Sequence, residues 1–489
     1  MLSDLGLFGL PSALAVPLAA LVLVHLRAFF CGPYGFRSFP RLFLAKFSDA
    51  RLGWVSYGGH RSEIIHELHR KYAPNHLSTA SPEALQVVFA HGNEALKSPF
   101  YGVFASIKRG LFNTPHHAQH SRKRRIKSIM EFKPASGNVY SGAVRGESGT
   151  DGEGDLSGHD GHLWLDCLPV HSHFLDIFST DYLTFDMIAD LAFWRTLRDS
   201  APDPKSNEEG LATIGQKTSC AVVEIPAVQI LHNQGKFSMN MGVFPPWLRP
   251  IARKLRIFQI GDRTDLLSKL QAGKDERGKP MGREELTAEA LTLPIAGSDT
   301  TSNSTCALIY YLARNPHVQA RLHKELDEQL NDSVSTADEV KNLPYLDACI
   351  NEGLRLHSTS ALGLPRIVPE GGMSVHGHFF PEGAILSVPS YTIHRDPEVW
   401  GDDVEEYKPE RWFERDNALI QKTFNPFSLG PRACVGRNLA SLELQIIVSS
   451  ILRRFDFVLE DPTAELPTRE GFLRKPLKCR VGIKRRDVL

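Results

Sequence analysis

Residues 5–26 contain no Asp, Glu, Lys or Arg. A helix of about 22 residues covers the roughly 30 Å of bilayer hydrocarbon. Pro11 and Pro17 interrupt the run, which membrane-spanning helices tolerate better than soluble ones do. Asp4 precedes it, and Arg27, Arg37, Arg41, Lys46 and Arg51 follow it. That charge bias predicts a cytosolic body. A cleaved signal peptide is the rival reading, but it lacks a basic start and a small-residue cleavage site. The expectation is a single-pass anchor over 1–27, a basic and aromatic linker over 28–54, and a soluble body over 55–489.

Along the body the apolar positions recur mostly with helical spacing. Helices are predicted over 60–73, 80–98, 283–315, 316–330, 344–357 and 437–455, and residues 162–195 have helical character. Pro316 opens the fourth of these, where proline suits the first helical position. From 361 to 390 the pattern shortens into strands broken by Gly and Pro, and short strands are also expected in the last thirty or so residues. Residues 137–161 carry eight glycines among Ser and Asp, which predicts an exposed loop. The sum is a mainly α protein with a minor β part.

Composition narrows this picture. Lys+Arg and Asp+Glu are 56 each, so nucleic acid is not an expected partner. The seven cysteines are scattered without a C-x-x-C pair, which argues against a disulfide framework or a zinc ribbon and suits a reducing compartment.

The sharpest chemical feature is the run from Phe427 to Gly436, with Gly430, Arg432 and Cys434 between them. Cys434 is flanked by Arg432 and Arg437 and precedes a predicted helix. Cations and a helix N-terminus both favour thiolate, and glycines let a flat ligand approach the backbone. Such a thiolate serves as a nucleophile or as a metal ligand, and a hydrolase would need a histidine partner that nothing local marks. Glu352 and Arg355, three apart on a helix, face one another as an ion pair. Pro409-Glu410-Arg411-Trp412 follows. Ala296-Gly297-Ser298-Asp299-Thr300-Thr301 sets small and polar residues inside an apolar helix, where they weaken it. His120 and Arg124 lie on a strongly basic stretch.

Together these segments resemble the cytochrome P450 superfamily. Residues 427–436 match its haem-binding pattern F-x-x-G-x-R-x-C-x-G, 352–355 its E-x-x-R, 409–412 its P-E-R-F with Trp412 in place of Phe, 296–301 its A-G-x-[DE]-T-[TS], and 120–124 its [WH]-x-x-x-R. The resemblance covers roughly 55 to the C-terminus and is strongest over 285–460. Blocks at 106–114, 295–304 and 389–397 are similar to fungal benzoate para-hydroxylases and related secondary-metabolism members.

The resemblance implies the P450 fold and haem b, with Cys434 as axial ligand to iron, a ligand type that favours O–O cleavage. It implies Asp299 and Thr300 as a proton relay. Arg432, Arg124, His120 and Arg366 would hold the haem propionates, with Phe427 and Gly436 shaping the loop. Glu352, Arg355 and Arg411 would support it. It implies a monooxygenase taking O2, electrons from an NADPH-cytochrome P450 reductase and a small apolar or aromatic substrate, anchored in the endoplasmic reticulum membrane. The basic face 122–127 suits an acidic redox partner, and 100–104, 295–296 and 361–364 are candidate pocket walls. Competing readings are a terpenoid or alkaloid oxidase and an inactive or mis-spliced haem-binding paralogue. Three departures motivate the last: Ala73 follows Tyr72 where the family places a first strand, the Gly-rich 137–161 interrupts a helical region, and Pro294 sits within the central helix, where it predicts a kink.

Overall fold

The structure is a computed structural model that describes Leu23 and residues 50–72, 81–105, 108–128, 211–214, 223–226, 282–331, 335–477 and 481–486. The predicted anchor, the Gly-rich stretch, residues 162–195 and the junction after Tyr72 lie outside these. Among the described residues, no helix is long and apolar enough to cross a membrane.

Helices dominate. In chain order they are α1 (Ala50–Gly58), α2 (Arg61–Tyr72), α3 (Pro82–Phe89), α4 (His117–Ser128), α5 (Arg283–Arg314), α6 (Pro316–Gln329), α7 (Ala337–Val340) and α8 (Pro344–Leu356). Four short ones follow, α9 (Ser390–Ile393), α10 (Pro397–Trp400), α11 (Arg411–Glu414) and α12 (Asn417–Thr423), and then α13 (Arg437–Arg454). The strands are β1 (Leu96–Lys97), β2 (Leu211–Ile214), β3 (Val223–Pro226), β4 (Arg366–Ile367), β5 (Met373–Val375), β6 (His378–Phe380), β7 (Ile385–Leu386), β8 (Phe455–Leu459), β9 (Thr468–Glu470), β10 (Arg474–Pro476) and β11 (Val481–Arg485). All pairings are antiparallel: β1-β4-β7 forms a three-stranded sheet, and β2-β3, β5-β6, β8-β11 and β9-β10 form two-stranded ones.

Local chemistry sets the ends. Ser81 caps α3 by accepting the Ala84 N–H at 3.0 Å. Thr336 and Glu339 form a reciprocal capping box on α7. The first turn of α8 is capped from another helix, with the Glu325 carboxylate accepting the N–H groups of Tyr345 and Leu346 at 2.8 Å each. The long helix predicted over 80–98 is instead α3 plus a turn and β1. Its apolar run ends at Phe89, Gly92 takes a φ of 84°, and the Asn93 side-chain amide donates to the carbonyls of Val87 and Val88, closing the helix. α1 begins at Ala50, within the stretch expected as linker, whose residues 28–49 lie outside the described ones.

The main core joins α5, α6, α8 and α13 with β8 and β11. α5 runs unbroken through Pro294. An interior proline costs about 3 kcal/mol, and packing of α5 on α8, α13 and β8 offsets it. A second core lies under α3 and the strands between 366 and 388.

Gly430 ties this second core to the cysteine loop. Its φ is 66°, and a Cβ there would run into the carbonyl oxygen of Phe89 at the end of α3. Gly377 has a φ of 70° but open space around it. We predict that Gly377→Ala lowers stability by about 1 kcal/mol, the left-handed backbone term alone, and that Gly430→Ala lowers it by clearly more. Denaturant titration of the two variants checks this.

Candidate active site

The run 427–436 wraps back on itself at the N-terminus of α13. The Cys434 N–H donates to the Phe427 carbonyl at 2.8 Å, and the Ala433 N–H donates to the Gly430 carbonyl at 3.1 Å. Gly436 is the N-cap of α13. Cys434 is exposed although Arg432 and Ala433 beside it are buried. Ala296 on α5 is likewise exposed between more buried neighbours. Thr300 turns its hydroxyl onto the Ala296 carbonyl at 2.8 Å, and Ser298 and Asp299 are buried.

A group of cations stands beside the loop. Arg432 is buried and donates to the carbonyls of Thr114 and Pro115 at 2.7 and 2.5 Å. Arg124 on α4 donates to the Ala433 carbonyl at 2.8 Å. Arg366 on β4 is buried and donates to the Tyr101 hydroxyl at 3.0 Å. His120 is buried on the same helix as Arg124. The structure thus brings together all four cationic or titratable residues singled out from the sequence.

It adds Lys97, which the sequence reading missed. Lys97 is buried on β1 and donates to the Phe112 carbonyl, with its ammonium 4.5 and 4.4 Å from the Tyr101 and Phe112 ring centres. A lone lysine before an aromatic stretch gave no signal, because its partners arrive from Arg366 and Arg432.

The electrostatics of this group are one-sided. Burial, then Arg366 and Arg432, push Lys97 well below the usual lysine range. Burial and Arg366 lower Arg432 to about 10. Burial, Arg432, Lys97 and Arg124 lower His120 to about 3. No carboxylate is among these causes. The Arg366 Nη2, Arg432 Nε and His117 Nε2 atoms are buried without a hydrogen-bond partner among the described residues. All three residues line one cavity of about 10 Å³. Buried cations without countercharge are costly, so this cluster is built for an anionic partner. A group bearing carboxylates fits these residues.

Aromatic rings pack beside these cations. Phe472, at the turn between β9 and β10, stands 4.7 Å from Phe104, 5.4 Å from Phe112 and 6.4 Å from Phe100, centre to centre. Residues 100–104 were expected here, but Phe112 and Phe472 were not, since each meets the others only across the fold.

Behind the loop lies a buried ion network. Glu352 and Arg355 are both 0% exposed. Their two hydrogen bonds are 2.9 Å each, and Arg411 donates to Glu352 at 2.7 Å. Trp412, which replaces the family's Phe, donates its indole N–H to Glu352 at 3.1 Å. Arg355 also binds the His394 carbonyl at 2.8 Å, and His394 accepts the Asn425 N–H at 3.1 Å. The network therefore reaches the start of the cysteine loop. Burial, reinforced by Arg355 and Arg395, lowers His394 to about 3, so it stays neutral.

Glu443 was also missed. It is buried on α13, and its sole hydrogen bond among the described residues comes from Thr301 of α5 at 3.2 Å. Its other carboxylate oxygen has no partner. Burial raises it to about 8.

The comparisons now fit this geometry. The cytochrome P450 family model matches residues 181–483. Benzoate 4-monooxygenase bphA of Aspergillus niger is 39% identical over 520 aligned positions, covering 96% of each chain. Pisatin demethylase of Fusarium vanettenii is 27% identical, over 86% of this chain and 85% of its own. Cytochrome P450 monooxygenase tpeC of Talaromyces stipitatus is 28% identical, over 85% and 83%. These matches define the class, haem-dependent oxygenases. The chain belongs to the cytochrome P450 family. It is a haem-thiolate monooxygenase that binds haem b and uses O2, an organic substrate and a redox partner.

Two outcomes are expected. Glu352→Gln leaves two buried guanidinium groups short of countercharge and costs about 3–5 kcal/mol, read as a large fall in thermal midpoint and loss of haem-loaded protein. Glu443 keeps its proton in the fold up to about pH 8, whereas an unfolded glutamate releases it near pH 4.5. Stability is therefore lost as pH rises between these values. Glu443→Gln removes that loss, so the variant is the more stable at pH 8 and the gap closes toward pH 4.5. Thermal midpoints measured across this range check the sign.

Proposed function

We propose that this monooxygenase hydroxylates a small aromatic acid or phenolic compound. The observation carrying this reading is the cluster of Phe100, Tyr101, Phe104, Phe112 and Phe472, whose rings pack against Lys97 and Arg366 of the cationic group. The 39% identity to a benzoate 4-monooxygenase over nearly the whole chain supports the same class.

In this reading haem supplies dioxygen activation, and the chain's residues do the rest. Cys434 would hold the iron through its thiolate. Arg432, Arg124, Arg366 and Lys97 would hold the carboxylates of the group, with His120 as a neutral donor. Asp299 and Thr300 would supply protons from the polar turn of α5. Phe427 and Gly436 shape the cysteine loop, and Glu352, Arg355 and Arg411 brace it. The ring cluster excludes water and orients the substrate. The overall reaction joins RH, O2, two electrons and two protons to give ROH and water. The electrons come from an NADPH-cytochrome P450 reductase; Arg122 and Lys123 of α4, expected to face it, are instead paired with Glu285 of α5. Residues 1–27 anchor the chain in the endoplasmic reticulum membrane with the catalytic body on the cytosolic side.

The test is the reduced, carbon-monoxide difference spectrum of the full-length chain in microsomes, followed by titration with benzoate and hydroxybenzoates. A thiolate-haem band that Cys434→Ala abolishes, a substrate-induced spectral shift and a ring-hydroxylated product are expected. Absence of the band in well-expressed protein overturns the assigned haem contacts. A normal band with no response to aromatic acids overturns the substrate class.

A further inference from the structure

Asp299 of α5 and Lys475 of β10 are 176 positions apart and meet in a direct ion pair between the ammonium and one carboxylate oxygen. Both side chains are largely buried, at 7% and 15% exposure. A shielded ion pair is screened far less than a surface one, so the pair holds one Asp299 carboxylate oxygen on the ammonium. Thr300, Ser302, Asn303 and Ser304 all bond to backbone carbonyls of the same helix.

Lys475 is held rigidly. Its strand pairs with β9, Lys475 opposite Arg469. Glu470 of β9 accepts the N–H and hydroxyl of Ser62 at 2.6 and 2.5 Å, and Arg474 reaches Glu63 at 2.8 Å and the Thr359 carbonyl at 2.9 Å through its N–H. The hairpin is thus clamped to α2 on one side and to the segment after α8 on the other. At its turn, three residues before Lys475, Phe472 packs into the aromatic wall. One rigid unit therefore touches both the substrate wall and the acid of the polar turn.

We propose that Lys475 is a positioning residue for the oxygenation step: it orients Asp299 and links occupancy of the aromatic wall, through Phe472, to proton delivery. The inference rests on the assignment of Asp299 as proton donor. Protons arriving at the right place and time carry the two electrons and O2 to ROH plus water. Mistimed delivery sends the same two electrons and two protons to hydrogen peroxide, leaving RH unchanged. The quantity that Lys475 governs is therefore the partition between product and peroxide, not binding.

Full-length protein with its reductase is compared as wild type, Lys475→Met, Lys475→Arg, Asp299→Asn and the Lys475→Met/Asp299→Asn double variant. Benzoate is the probe. Product, peroxide and NADPH consumed are measured beside the spectral Kd and the thermal midpoint. Lys475→Met is expected to raise the peroxide-to-product ratio about tenfold, with the Kd within twofold and the carbon-monoxide band intact. Lys475→Arg restores most of the partition, and the double variant is no worse than Asp299→Asn alone. An unchanged ratio in Lys475→Met overturns the proposal. So does a double variant whose losses multiply, or a shift in ratio that tracks a fall in thermal midpoint and is not rescued by arginine. If wild type shows no spectral response to benzoate, the substrate reading fails. The peroxide yield per NADPH, measured without substrate, then still compares Lys475→Met with wild type, and equal yields overturn the Lys475 role.

Discussion

Everything near the cysteine rests on one buried carboxylate. Glu352 takes hydrogen bonds from Arg355, Arg411, Trp412 and the backbone N–H of Lys408. A single unpaired carboxylate in this setting would cost far more than it returns. With four donor groups around it, the charge becomes a fixed point to which distant segments are bound. Arg411 extends the hold to Asp403 and the Trp400 carbonyl, and Arg355 extends it to the carbonyls of His394, Val404 and Glu406. The irregular stretch between 394 and 425 has little regular structure of its own, and these charged donors give its carbonyls their partners. The cysteine loop is then delivered to the head of α13 in one orientation.

The polar turn of α5 follows a different logic. Two buried carboxyl groups belong to it, Asp299 paired with the Lys475 ammonium and Glu443 accepting from Thr301, with burial raising Glu443 to about 8. One acid comes from the helix itself, its cation from the C-terminal hairpin, and the second acid from α13. The polar turn is thus assembled from three parts of the chain, two of which, α5 and α13, share the main core.

What was legible in the sequence follows from distance along the chain. Cys434 with Arg432, Glu352 with Arg355, and Asp299 with Thr300 each lie within one short segment, so the resemblance of those segments to the family's motifs marked them. The helices α2, α6, α8 and α13 were legible for the same reason, since their apolar spacing is local. Lys97, Phe112, Phe472, Lys475 and Glu443 were not. Each has an ordinary side chain whose meaning comes from a partner more than a hundred positions away, or from burial that only the fold creates. The overlong helix at 80–98 failed at Gly92-Asn93, a local stop signal outweighed by the apolar residues around it. At Pro294 the local rule predicted a kink, and long-range packing of α5 keeps the helix continuous through it.

The one-sided cluster of Lys97, Arg124, Arg366 and Arg432 has a consequence for how the protein accumulates in a cell. Those four cations come from four separate elements, and without a counter-anion each repels the others in a poorly solvated place. A ligand that binds only the folded chain adds to its stability by mass action, in proportion to the logarithm of its free concentration over its Kd. Haem bound through its two carboxylates at these residues would cancel the repulsion, so ligand supply and folding yield would become one quantity. Chains made faster than haem is supplied carry the uncompensated charge and are the ones exposed to quality-control proteases. Steady-state abundance is then governed by porphyrin metabolism as much as by transcription of the gene.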